Sequence, residues 1–178
     1  ACNFGGEAFN SQLLRAADAA AHIVAVGSCA CFGGITVGAG NPIGATDVLT
    51  FLTANGITKP FIRVPGCPPH PDWMVGTLVH VLKFGVPALD SYYRPTKFFG
   101  RLIHNTCPFR RGSAAAKLGD RGCMELLGCR GKITYADCIA RGWNNTSNNC
   151  VFTNTPCIGC TQPDFAQTGP FYYPTPNT

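Results

Sequence analysis

The last third of the chain holds an unusual density of side chains that bind soft metals. Seven cysteines and one histidine lie within the 57 residues from His104 to Cys160, enough ligands for two four-coordinate metal centres. Gly, Pro, Asn and Thr fill the intervals, so neither a long helix nor a deep apolar core is expected there. Such a segment needs another source of order: disulfides, zinc or iron–sulfur clusters. The eight side chains are His104, Cys107, Cys123, Cys129, Cys138, Cys150, Cys157 and Cys160.

The cysteine count favours metal binding over disulfides. The whole chain has 11 cysteines, an odd number that a fully paired disulfide scaffold would not leave. His104 precedes Cys107, and Cys157 precedes Cys160, at the two-residue interval typical of metal ligands. Disulfides also give no role to the histidine.

Charge is scarce in this chain and unevenly placed. Only 13% of the 178 residues are charged, which indicates a surface partly covered by a partner protein. Ten of the 14 Lys and Arg lie between Arg94 and Arg141, against three acids. Thiolate-bound clusters are anionic, so we interpret this excess as counter-charge, with docking of an acidic electron carrier as a second role. No nucleic-acid-binding motif accompanies the charge, and no apolar run is long enough to span a membrane.

The first half of the chain reads as alternating helices and short apolar strands, which predicts a doubly wound α/β fold with a parallel sheet. We expect this flavodoxin-like unit over 1–90 and an irregular cluster-binding domain over 91–178, with short helices at most, at 112–118 and 122–127. In the first unit the helices are predicted at about 7–20, 45–54 and 71–84, and the strands at 22–26 and 61–64.

Cys29 and Cys67 each follow the carboxyl end of a predicted strand, in loops bent by glycine or proline. Open α/β sheets bind ligands at that edge, so both thiols are expected in one crevice. The alternative is two buried structural cysteines. Two strands and two cysteines complete neither a sheet nor a cluster, so we expect further sequence before Ala1 to supply the remainder.

Four motifs together resemble the small, electron-transferring subunit of nickel–iron hydrogenases. The resemblance covers nearly the whole chain, from about Cys2 to Tyr173. The motifs are Val-Gly-Ser-Cys-Ala at 26–30, Pro-Gly-Cys-Pro-Pro-His-Pro-Asp-Trp at 65–73, Phe-Gly-Arg at 99–101 with His104 and Cys107, and Pro-Cys-Ile-Gly-Cys at 156–160, followed by Pro-Asp-Phe at 163–165.

The resemblance implies three iron–sulfur clusters. Cys29 and Cys67 would be two of four ligands to the proximal 4Fe-4S cluster. The family's other two lie in a Cys-x-x-Cys motif after the first strand, and this sequence has no such motif at that place. The distal 4Fe-4S cluster would have one histidine and three cysteines, and histidine should raise its reduction potential. The distal ligands would be His104, Cys107, Cys123 and Cys129.

The medial site departs from the commoner pattern in the family. Many relatives have three cysteines and a proline there and hold a 3Fe-4S cluster, whereas this sequence has Cys150 at the proline's place. We therefore expect a medial 4Fe-4S cluster with a lowered potential, as in the nickel–iron–selenium subgroup, and a 3Fe-4S cluster if Cys150 is not a ligand. The medial ligands would be Cys138, Cys150, Cys157 and Cys160.

Two further cysteines are expected not to bind clusters. Oxygen-tolerant relatives carry an extra cysteine five residues after Cys29, where this sequence has Gly34. Cys31 stands at a different position, so we interpret Cys31 and Cys2 as non-ligands and the chain as the standard, oxygen-sensitive type.

The function implied is electron transfer in a heterodimeric hydrogenase, an enzyme of H2 oxidation and proton reduction. Hydrogen would be split at the nickel–iron site of a large subunit, and electrons would pass through the clusters to a carrier such as a cytochrome. Arg110 and Arg111 would face that carrier. The location that is usual in this family implies that the protein is periplasmic, although the sequence shows no export signal.

Two other functions remain open at this stage. A structural or binding module stapled by zinc could use the same cysteines, since tetrahedral zinc accepts them. A quinone-reducing subunit of a respiratory complex has a similar proximal-cluster domain. Such proteins lack the region from His104 to Cys160, which makes this the weaker alternative.

Overall fold

Strands and helices alternate through the first half of the chain. The structure is a computed structural model that describes residues 2–38 and 40–166. This order confirms the predicted α/β class. The first-half elements are β1 (Asn3–Phe4), β2 (Glu7–Ala8), α1 (Phe9–Ala19), β3 (Ile23–Val26), α2 (Ser28–Phe32), a 3-10 turn (Gly34–Val37), α3 (Val48–Ala54), β4 (Phe61–Val64) and α4 (Pro71–Phe84).

A parallel pair of strands lies at the centre of this half. β3 and β4 pair in register from Ile23 opposite Phe61 to Val26 opposite Val64. β-Branched and aromatic side chains suit such a buried strand, and Ile62 and Val64 are fully buried. The parallel sheet inferred from the sequence is therefore confirmed.

The two longer helices after β3 begin at clear capping signals. The Asp47 carboxylate accepts a hydrogen bond from the Thr50 N–H at 3.1 Å and caps α3. His70 caps α4 by accepting from the Asp72 N–H at 3.0 Å, and Pro71 occupies the first turn, where its missing N–H costs nothing. Gly85, at φ +80°, ends α4.

Three local predictions differ from the structure. α1 begins at Phe9, because Glu7–Ala8 pairs with Asn3–Phe4 in a small antiparallel ladder. The segment predicted as a loop after β3 contains the five-residue helix α2. No helix forms over 112–118, and only the 3-10 turn Glu125–Leu127 forms within 122–127.

The second half of the chain consists mostly of turns and packs against the first half. Its only α-helices within the described residues are α5 (Thr96–Phe99), α6 (Ile103–Thr106) and α7 (Cys138–Arg141). One core cluster joins β4 and α4 to this half, so the two halves share a buried interior. That cluster contains Ile62, Val64, Trp73, Phe98, Phe99, Ile103 and Ala136. Among the described helices, none has both the length and the apolar character needed to cross a membrane.

Candidate cluster-binding sites

The four predicted distal ligands line one cavity. α6 carries His104 in its first turn, Cys107 directly follows its last residue, and both side chains line the cavity. The N–H of Cys123 donates to the Ser113 carbonyl at 2.9 Å, and the N–H of Cys129 donates to the Met124 carbonyl at 3.1 Å. These loops bring His104, Cys107, Cys123 and Cys129 to the lining of one cavity.

The surroundings of Cys107 act on the pKa of its thiol in opposite directions. Burial raises the pKa of the Cys107 thiol, and the neighbouring thiols of Cys129 and Cys123 raise it further. The backbone N–H groups of Phe109 and Arg110 lie near its sulfur and lower this pKa. Such N–H groups stabilise negative charge on sulfur, which is what a cluster ligand carries.

The four predicted medial ligands line a second cavity. Cys138 begins α7, and a turn closed by the Thr155 N–H to the Cys150 carbonyl at 2.9 Å holds Cys150. Together with Cys157 and Cys160 they line the cavity. The outer side of Cys150 is exposed to solvent.

The medial thiols are protonated in the cluster-free protein at neutral pH. Burial raises the pKa of Cys138 to about 12 and that of Cys160 to about 11, and it also raises the pKa of Cys157. The Trp143 indole N–H donates to the sulfur of Cys138. The Thr134 hydroxyl, which donates to the Arg130 carbonyl at 2.6 Å, lies beside Cys157 and lowers its pKa. Metal binding at this site must therefore displace protons.

The two predicted proximal ligands meet at the carboxyl edge of the parallel strands. The Gly27 N–H donates to the Val64 carbonyl and the Ser28 N–H to the Gly66 carbonyl, both at 2.9 Å, so the two loops run side by side. Partial desolvation and the adjacent Cys29 thiol raise the pKa of Cys67. Both thiols are exposed at this edge, and a shared ligand crevice there stays a prediction.

A glycine is required in the second of these loops. Gly66 has φ +148°, and a Cβ there would lie 2.5 Å from the Cα of Pro69. A larger residue would collide with the backbone of the same loop and distort the turn that carries Cys67.

The two cysteines predicted as non-ligands lie in contrasting environments. Cys2 is exposed. Cys31 is fully buried among the side chains of α1, α3 and β4, and its thiol donates to the Ala25 carbonyl at 3.3 Å. Burial raises the pKa of Cys31 to about 12. A thiol packed in this way is unavailable to a cluster at the crevice.

Three residues that touch the candidate ligands were not predicted from the sequence. Trp143 donates to the sulfur of Cys138, Thr134 lies beside Cys157, and Ser28 donates to the carbonyl of Cys160. Only Ser28 has a sequence signal, because it stands next to Cys29. Trp143 and Thr134 reach their sulfurs through tertiary folding and have no fixed spacing from them.

The donor arrangement suits a cluster better than a single ion. Within residues 2–38 and 40–166, no three His, Cys, Asp or Glu side chains converge closely enough to bind one metal ion. Zinc would need thiolates about 2.3 Å from a common centre. Cysteine thiolates, with histidine in some cases, are the donors that iron–sulfur clusters use. The zinc-stapled module is not supported, because the related proteins described next are hydrogenase subunits.

Comparison with known proteins accounts for both halves of the chain. Residues 99–173 match the family model for the C-terminal part of the NiFe/NiFeSe hydrogenase small subunit, and residues 4–81 match the model "NADH ubiquinone oxidoreductase, 20 Kd subunit". The periplasmic [NiFeSe] hydrogenase small subunit of Desulfomicrobium baculatum is 47% identical over 161 residues, covering 84% of this chain and 51% of that protein. The hydrogenase-2 small chain of Escherichia coli K12 is 36% identical, covering 90% and 45% respectively.

Solved structures agree with the sequence comparisons. The recombinant [NiFeSe] hydrogenase of Desulfovibrio vulgaris Hildenborough matches with a TM-score of 0.86 and 42% identity, covering 97% of this chain and 68% of that one. The chain spans about half the length of the curated relatives it matches. It belongs to the small-subunit family of NiFe and NiFeSe hydrogenases, whose members carry iron–sulfur clusters.

Proposed function

We propose that this chain carries electrons between the H2-activating site of a hydrogenase large subunit and an external carrier. The observation that carries the proposal is that the three candidate sites adjoin in a row. The Ser28 hydroxyl, next to Cys29, donates to the carbonyl of Cys160, which links the proximal-ligand loops to the medial cavity. The Arg130 N–H, next to Cys129 of the distal cavity, donates to the Cys157 carbonyl of the medial cavity at 2.7 Å. Adjoining one-electron sites are what electron transfer through a protein requires.

We assign the ligands as they are predicted from the sequence. Cys29 and Cys67 belong to a proximal 4Fe-4S cluster that needs further ligands. His104, Cys107, Cys123 and Cys129 form the distal 4Fe-4S site. Cys138, Cys150, Cys157 and Cys160 form a medial 4Fe-4S site. Lining of a single cavity by each set of four supports the distal and medial assignments.

The clusters would supply one-electron redox chemistry; the polypeptide tunes it. Burial around Cys157 and Cys138 destabilises the more negative, reduced cluster, whereas the indole N–H of Trp143, which donates to the Cys138 sulfur, stabilises it. The balance of these two effects sets the potential of the medial site.

The surroundings of the distal cavity suit a docking site. Arg110 lines this cavity, and both Arg110 and Arg111 are exposed. The proposal assigns the surface around Arg110 and Arg111 to the docking of an acidic electron carrier such as a cytochrome.

The proposed domain boundary at residue 90 separates the residues of the proximal site from those of the medial and distal sites. A periplasmic location is proposed from the relative of that name.

Metal analysis with EPR spectroscopy tests the function. The complex purified through a tag on this chain should contain about twelve irons and a matching amount of acid-labile sulfide, four for each cluster. The oxidised complex should show no 3Fe-4S signal. Zinc without iron would refute the proposal, and a strong oxidised 3Fe-4S signal would refute the role of Cys150 alone.

A further inference from the structure

Ser28 joins the two loops of the proximal crevice to the medial-ligand loop. Its side chain is buried, with 2% of its surface exposed. Its hydroxyl accepts from the Gly66 N–H at 2.9 Å and donates to the carbonyl of Cys160. One hydroxyl therefore satisfies two buried backbone groups that lie far apart in the sequence.

Two further contacts hold the same loop. The backbone N–H of Cys67 donates to the sulfur of Cys160. Arg94, which is buried and paired with Asp90 at 2.7 Å, donates to the Thr161 carbonyl at 2.9 Å. Consecutive carbonyls, those of Cys160 and Thr161, are thus held by side chains from outside the medial loop.

We propose that Ser28 is a positioning residue that fixes Cys160 against the loop of Cys67 and thereby sets the reduction potential of the medial site. The inference rests on the proposed function. Ser28 stands beside Cys29, so the bond from its hydroxyl keeps both proximal-ligand loops in register with Cys160. The N–H of Cys67 can reach the sulfur of Cys160 only while that register is kept.

Loss of the Ser28 hydroxyl should lower the midpoint potential of the medial site. Ser28→Ala leaves the Gly66 N–H and the Cys160 carbonyl buried without their partner, and buried unpaired groups drive local separation toward water. The N–H donated to the Cys160 sulfur then weakens. Since hydrogen bonds to ligand sulfur stabilise the more negative reduced state, the medial midpoint potential should fall.

The test is an EPR-monitored redox titration of the purified complex for the wild type and three variants. Ser28→Ala should retain the iron content, lower the medial midpoint potential and leave the distal potential unchanged. Ser28→Thr keeps the hydroxyl and should restore the wild-type medial potential. Thr36→Ala is the matched control, because its hydroxyl donates only to the Gly33 carbonyl at 2.6 Å, outside the ligand loops.

Loss of iron from a variant also tests the positioning role of Ser28. If Ser28→Ala loses the medial cluster but keeps the distal one, while Ser28→Thr keeps both, the positioning role is supported. Unchanged potentials in Ser28→Ala, or equal damage in Ser28→Ala and Thr36→Ala, would overturn it. A wild-type complex without iron would instead refute the proposed function, so the two failures are distinguishable.

Discussion

The thiols of Cys150 and Cys160 line the same cavity and interact electrostatically. This relationship bears on the type of medial cluster, because a fourth thiolate at the cavity would retain a fourth iron.

Replacing that fourth thiolate should remove one iron. Cys150→Ala is expected to lower the iron content from about twelve to about eleven per complex and to produce an oxidised 3Fe-4S EPR signal. The medial potential should rise, because one anionic ligand is lost. Cys2→Ala, at another exposed cysteine, is the control and should leave iron and spectrum unchanged. An unaltered spectrum in Cys150→Ala would show that Cys150 is not a ligand.

Removing the indole donor to Cys138 should lower the medial potential, whereas the loss of Cys150 should raise it. Trp143→Phe keeps an aromatic ring against His70, whose ring centroid lies 4.8 Å away, but deletes the N–H that donates to the Cys138 sulfur. The reduced medial cluster loses a stabilising hydrogen bond, so its midpoint potential should fall. Potentiometric EPR measures the shift. Ser147→Ala, whose hydroxyl bonds only the backbone of its own turn, should show none.

The sequence predicted the parts of this molecule in which local patterns decide the structure. Strand β4 and helix α4 form at their predicted bounds, because apolar periodicity and the Pro71 start are local signals. Each set of four predicted distal or medial ligands lines one cavity.

The remainder depends on contacts between distant segments. The helix at Ser28–Phe32 was not predicted, since Gly27 and Gly33 on either side suggest a loop. The expected helix at 112–118 does not form, because this segment instead bridges to Cys123 through Ala114. Donors to sulfur, such as Trp143, come from tertiary packing that no short motif encodes.

Cys31 should make the stability of the fold depend on pH in the alkaline range. Burial raises its pKa from 9.0 to about 12, so the folded state retains a proton that the unfolded state releases above pH 9. Stability contributed by the neutral thiol is therefore full below about pH 9 and is lost progressively up to about pH 12. Urea unfolding at several pH values should show this fall in free energy, and Cys31→Ala should reduce it.

Thiol labelling of the native protein tests the burial of Cys31 without unfolding the protein. Iodoacetamide at pH 8 should modify Cys2, which is exposed, and leave Cys31 unmodified, because a thiolate is rare in a buried site of this pKa. Mass spectrometry of the digested protein reads both positions. Equal labelling of the two would contradict the buried placement of Cys31.

Trp73 should be among the most important residues for stability. It is fully buried in the core shared by the two halves, and its indole N–H donates to the Asp137 carboxylate at 2.7 Å. Trp73→Phe removes that bond and part of the packing, so the free energy of unfolding should fall by about 2–4 kcal/mol. Denaturant unfolding measures the loss. Asp137→Asn keeps an acceptor and should cost less, although its ion pair with Arg141 is weakened.

Reversal of charge beside the distal cavity should slow electron delivery without affecting the clusters. Arg110→Glu with Arg111→Glu replaces two exposed cations by anions near His104. The bimolecular rate constant with an acidic carrier should fall about tenfold at low salt, and its salt dependence should weaken, because steering by opposite charge is screened by ions. Stopped-flow kinetics measures both effects. Lys59→Glu with Lys83→Glu changes the net charge equally in the first half and should leave the rate near that of the wild type. Kinetics and salt dependence unaltered by the Arg110 and Arg111 changes would place carrier docking elsewhere on the complex.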